Sequence, residues 1–131
     1  MHQYKISIDT ILDSMSDMIS VKDIHGNYLF CNRAFCEMIG QSRQEILQAD
    51  PPLVTEPEQR VMRTGKSERI ETTEKNRIFF SEIAPLYDRR GHVFAVLSLR
   101  RDITHFKIES VQHAHVAHQA LDLLCDVYHA P

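Results

Sequence analysis

At 131 residues, with 43% hydrophobic and 25% charged, the chain has the composition of one globular domain with a single core, which excludes a mainly disordered protein. A formal net charge of -3 gives no general drive towards nucleic acid or anionic membranes, no apolar run reaches bilayer length, and the opening residues lack the apolar core of a signal peptide. The three cysteines, Cys31, Cys36 and Cys125, are too few and too irregular for a disulfide framework or a metal knuckle, so the cytoplasm is the expected compartment.

Tyr4, Ile8, Ile11, Leu12 and Met15 recur at helical spacing and predict an amphipathic helix over residues 4–15. Residues 18–22 read as a short strand, Gly26-Asn27 as a hairpin turn, and 28–31 as the returning strand. Asn32 is a good N-cap for a helix over 33–39 that Gly40 ends, with Phe35, Met38 and Ile39 on one face. Ser42, with Glu45 three positions on, makes a capping box for a second helix over 43–48, which Asp50-Pro51-Pro52 breaks. Residues 56–64 form a third helix, stopped by Gly65. Strands are then expected over 69–73, 77–87 and 92–101, with turns at 75–76 and 88–91, and helical periodicity returns from Thr104. Strands grouped at both ends with helices between them predict an α+β fold: one five-stranded antiparallel sheet with short helices on one face, flanked by N- and C-terminal helices. The expected division is a flanking helix over 1–16, a core over 17–104 and a signalling or dimerisation helix over 105–131.

The order of these segments resembles the PAS family. Ile11-Leu12-Asp13-Ser14-Met15 and then 17–23 look like its opening helix and first strand. Residues 26–35 followed by Gly40 look like its second strand and first core helix, and Thr64-Gly65-Lys66 like the turn out of its long helix. Pro85-Leu86-Tyr87-Asp88 with Gly91, and Arg101-Asp102-Ile103-Thr104, resemble its last hairpin and its exit into an output helix. The likeness covers about residues 8–106, although residues 49–66 are short for the family and predict a reduced helical wall.

The resemblance implies a sensor and not an enzyme, and no nucleophile–base constellation argues otherwise. It also implies neither haem nor covalent flavin. Light-sensing members carry their cysteine in a middle helix, whereas Cys31-Asn32-Arg33 sits one element too early, at a strand end. Haem-binding members that use histidine place it on the helix that here spans 56–64, which has none. Cys31 and Cys36 read as small core residues.

Side chains alternate along strands, so if Phe79 and Ile83 face the core, Ser81 does too and Phe80 lies on the other side. Matching the family's frame back from Asp102, the resemblance implies that Val96, Ser98 and Arg100 also point inward, with Leu97 and Leu99 outward. With Phe35, Met38 and Ile70 these give a candidate pocket of Phe35, Met38, Ile70, Phe79, Ser81, Ile83, Ser98 and Arg100. An inward Arg100 is costly to bury alone and has two readings. It grips the carboxylate or phosphate of a ligand such as a small organic acid, or it belongs to a structural ion pair or reaches solvent at the sheet edge. Asp102, Ile103 and Thr104 are the expected signal relay, with Thr104 capping the exit helix. His113, His115, His118 and Asp122 read as a solvated helix face and not a metal site, because no closing fourth ligand is evident. Ala114, Ala117, Leu121, Leu124 and Tyr128 form a heptad seam. That seam and Ile8, Ile11 and Leu12 of the first helix either build a homodimer or pack back on the sheet. The expected function is a sensor module of a bacterial signalling protein, with a linked kinase, cyclase or DNA-binding output, and without nucleic-acid or membrane contacts of its own. The alternative is a ligand-free dimerisation module.

Overall fold

The caps set the helices. Ser7 opens α1 (Ile8–Asp13) by accepting the Thr10 N–H, and Asn32 opens α2 (Arg33–Ile39) by accepting the Phe35 N–H. Capping boxes at Ser42/Glu45 and Thr55/Glu58 open α3 (Arg43–Gln48) and α4 (Glu56–Thr64). Gly40 and Gly65 close α2 and α4 at φ of 79° and 69°, a left-handed conformation that favours glycine. The computed structural model describes residues 5–51 and 54–106.

Five strands, β1 (Met18–Asp23), β2 (Tyr28–Cys31), β3 (Glu68–Glu74), β4 (Arg77–Tyr87) and β5 (Val93–Asp102), form one antiparallel sheet in the order β2-β1-β5-β4-β3. The expected α+β fold is therefore present, and among the described residues its strands and helices follow the expected order. Between β3 and β4, Lys75 and Asn76 have φ of 49° and 65°, the left-handed pair that a two-residue type I′ hairpin turn needs. Cross-strand partners share a face, and the register aligns Ser20 with Ser98, Ser98 with Ile83, and Arg100 with Ser81. The helix-covered face carries the core, where Val61 of α4 packs on Ile83 and Val96, with Met62 and Ile70 around them. On the opposite face Phe80, Leu97 and Leu99 are half-buried.

The boundaries differ from expectation in a few places. Helix α1 is shorter than 4–15, because Ser7 caps it and Ser14 folds its hydroxyl back onto the Ile11 carbonyl. Strand β5 begins at Val93 and not at residue 92, because the His92 carbonyl accepts the Asp88 N–H and closes the turn. Residues 104–106 are helical; the remainder of the expected exit helix, with Ala117, Leu121, Leu124, the histidine cluster and Cys125, lies outside the described residues.

Candidate ligand-binding site

A recess of about 290 Å³ opens between the helix-covered face of the sheet and the start of α4. Its floor alternates hydroxyl and apolar groups, because every second strand residue points inward: Ser20 from β1, Ile70 and Thr72 from β3, Ser81 and Ile83 from β4, Ser98 from β5. Phe35 of α2 and Thr55, Pro57 and Glu58 at the head of α4 complete the wall, and Arg100 stands at one end. Six of the eight predicted pocket residues meet here: Phe35, Ile70, Ser81, Ile83, Ser98 and Arg100.

Met38 and Phe79 are placed elsewhere. Both line an open cleft of about 930 Å³ at the end of the domain, with Met15, Ala34, Asp102 and Phe106. The reason for Met38 is helical phase, since Ala34, Glu37 and Met38 form one stripe of α2 and Phe35 belongs to another. Phe79 turns its ring under the Arg100 guanidinium, 4.0 Å from the ring centroid. Arg100 lines both the recess and the cleft. It is not a lone buried cation: its Nη2 lies 2.7 Å from Glu74 Oε1, so the structural ion pair among the sequence readings exists.

A second ion pair, which sequence reasoning missed, is far more buried. Lys22 Nζ donates to Glu58 Oε1 at 3.2 Å, with side chains only 10% and 5% exposed. The same Glu58 oxygen accepts the Thr55 N–H at 3.1 Å and the Thr55 hydroxyl at 2.7 Å, and the ammonium lies 5.2 Å from the Tyr28 ring centroid. The readable signal was Thr55-x-x-Glu58, a capping box like that at Ser42, ahead of the helix. Nothing local in the sequence points Lys22 at it. Asn32 caps α2 as its position predicts, and beyond that it is fully buried and joins three segments. Its Oδ1 accepts the Ile19 and Phe35 N–H groups, and its Nδ2 donates to the Leu12 and Asp17 carbonyls.

At the exit of β5, Asp102 Oδ1 accepts the Thr104 hydroxyl at 2.6 Å and the Thr104 N–H at 3.0 Å, while Oδ2 accepts from Arg77 Nε. These bonds, those to Thr104 foremost, hold the Asp102 carboxyl at about 2, well below the usual carboxylate range. Thr104 does not cap the exit helix as expected. It lies within the helical residues, and its Oγ1 accepts the Ile78 N–H at 2.7 Å, while the Ile103 N–H donates to the Ile78 carbonyl at 2.8 Å. The exit is thereby laced to β4. Next to it, Arg101 forms two bonds of 2.8 and 2.7 Å with the buried Asp17 carboxylate, whose pKa is lowered chiefly by them.

A five-stranded antiparallel sheet with short helices over one face and a small mixed recess between them is the architecture of a sensory domain. The chain belongs to the PAS-fold family, whose model matches residues 12–108. Solved structures agree at the level of fold. The PAS domain of nitrogen regulation protein NR(II) from Vibrio parahaemolyticus is 17% identical, with a TM-score of 0.57 over 75% of this chain and all of that one. The PAS domain of Bordetella pertussis BvgS is 21% identical, with a TM-score of 0.55 over 82% of this chain and 90% of that one. Vibrio cholerae VqmA, described as a dimer and a LuxR-type receptor with a target DNA, is 18% identical with a TM-score of 0.62 over 78% of this chain. This chain spans about half of VqmA, 53% of its length. No curated protein matches the chain in sequence. PAS domains are regulatory sensory modules, and this chain has their fold.

Proposed function

We propose that the chain senses a small, partly apolar organic acid in the recess and relays its arrival through Asp102, Ile103 and Thr104 to the C-terminal segment. The carrying observation is the position of Arg100. It borders the recess, is held between Glu74 and Phe79, and lies two residues from Asp102 on the same strand face. A ligand carboxylate would compete with Glu74 for the guanidinium, and the hydroxyls of Ser81 and Ser98 offer further hydrogen bonds beside apolar Phe35, Ile70 and Ile83. Any shift of β5 would reach the exit directly, because Asp102 ends that strand. The module would act as a homodimer with an output domain, in the cytoplasm; no helix among the described residues is long and apolar enough to cross a membrane. Neither haem nor covalent flavin enters the proposal.

One observation favours the second reading, a ligand-free dimerisation module: Glu74 already satisfies Arg100 within the chain. A thermal-shift screen of small aliphatic and aromatic carboxylates separates the two. Under the sensing reading some acids stabilise the wild type, Arg100→Ala abolishes the shift while remaining folded, and Glu74→Gln, which releases the guanidinium, enlarges it. If no acid shifts the wild type, or Arg100→Ala keeps the response, Arg100 is structural and the dimerisation reading replaces it.

A further inference from the structure

Cys31 ends β2 and is fully buried, and Cys36 lies half-buried on α2, with their Sγ atoms 3.6 Å apart. Neither thiol belongs to the recess or the cleft. We propose that Cys31 and Cys36 close into a reversible disulfide when the protein meets a two-electron oxidant such as hydrogen peroxide, giving the domain a redox input separate from the recess. A disulfide bond is about 2.05 Å long, so the sulfurs must approach by roughly 1.5 Å, within reach of side-chain rotation and a small shift of α2.

The more accessible Cys36 reacts first. Burial and the neighbouring sulfur push the Cys31 thiol up to about 12, which keeps it protonated and out of the first step. Cys36 thiolate attacks one peroxide oxygen, the O–O bond breaks, and the departing hydroxide takes a proton to become water, leaving Cys36 as a sulfenic acid. Cys31 Sγ then attacks Cys36 Sγ; the S–O bond breaks, the hydroxyl leaves with the Cys31 proton as a second water, and the S–S bond forms. Two thiols and one peroxide thus give one disulfide and two waters, with two electrons passing from sulfur to oxygen. The Arg43 guanidinium, whose Nε donates to the Cys31 carbonyl at 2.7 Å, is the cation placed to favour Cys31 thiolate in the second step. Asn32 lies between the two cysteines and holds the Leu12 and Asp17 carbonyls, so closure pulls on the residues that join α1 to β1.

The sequence offers a direct assay, because trypsin cuts after Lys22, Arg33 and Arg43 and so separates the two cysteines. After peroxide treatment of the whole chain, peptides 23–33 and 34–43 should be recovered as one linked species that dithiothreitol separates. Free thiols counted in denaturant should fall from the three of the sequence to one. Cys31→Ser should stop at a Cys36 sulfenic acid that dimedone labels, and Cys36→Ser should leave Cys31 unmodified. Linkage instead to peptide 108–131, which carries Cys125, or unlinked thiols in the wild type, or a Cys36 that advances to sulfinic acid without bonding Cys31, overturns the proposal. Dimedone labelling of Cys31 in Cys36→Ser overturns the order of attack.

Discussion

Glu58→Gln should be among the most damaging polar substitutions in the domain. The wild-type pair, 3.2 Å apart and almost enclosed, gains roughly 5 kcal/mol of Coulomb attraction at an effective dielectric of about 20, most of which offsets the desolvation of the two ions. Glutamine keeps an oxygen for the Thr55 N–H and hydroxyl but strands the Lys22 ammonium, and leaving one buried charge unpartnered costs about 3–5 kcal/mol. Lys22→Met should cost somewhat less, about 2–4 kcal/mol, because the remaining carboxylate keeps its two Thr55 bonds. The double variant has no ion left to compensate, so its cost should fall below the sum of the singles by about 2 kcal/mol. Urea unfolding followed by circular dichroism, with an unchanged m-value across the four proteins, measures all three costs. Costs that add within about 0.5 kcal/mol, or single substitutions that each cost under about 1 kcal/mol, would show that the pair does not act as a buried unit.

Asp102→Ala should cost about 1–2 kcal/mol and speed amide exchange from Phe106 onwards, since it removes the acceptor for Thr104 and Arg77; unchanged exchange and stability would place the relay elsewhere. Its depressed carboxyl pKa also fixes a pH dependence. The Asp102 contribution is fully present above the unfolded carboxylate value near 4, declines as pH falls towards about 2, and is missing from the acid limb of Asp102→Ala. Ile8 and Ile11 of α1 are 70% and 50% exposed, so Ile8→Glu with Ile11→Glu, or Leu121→Glu with Leu124→Glu, should convert a homodimer into monomers that keep their β-sheet spectrum. A wild type that is monomeric by light scattering at high micromolar concentration removes the dimer.

Local chemistry carried most of the fold. Asn32 and Gly40 bracket α2, Ser42 with Glu45 opens α3, and period-two alternation pairs Ser81 with Ile83 and Ser98 with Arg100, while the family resemblance set the phase that puts all four on one face. What alternation cannot supply is the partner across space. Glu74 and Arg100 are brought together only by the β3–β4–β5 pairing, and Lys22 meets Glu58 across 36 positions of sequence. Met38 shows the same limit on a helix: a short stripe of three residues fits two phases, and tertiary packing chose the one that faces the open cleft. Threonine caps helices well, which favours Thr104 as a cap from sequence, but here its hydroxyl oxygen accepts the Ile78 N–H of β4, a partner that only the folded sheet brings within reach.

The two outermost strands decide how this sheet meets other sheets. An edge strand offers unpaired N–H and C=O groups, and long apolar edges invite end-on growth into aggregates. Here β2 is only four residues long, and β3 carries Glu68, Arg69, Glu71 and Glu74 along a seven-residue strand. A second copy laid against β3 in antiparallel fashion would bring carboxylates close together and meet their repulsion, and β2 offers too few bonds to nucleate growth. The edges therefore act as guards against fibre-like stacking at the concentrations where a signalling protein accumulates. Any partner of this sheet has its helical surfaces or its open face to meet, and not its edges.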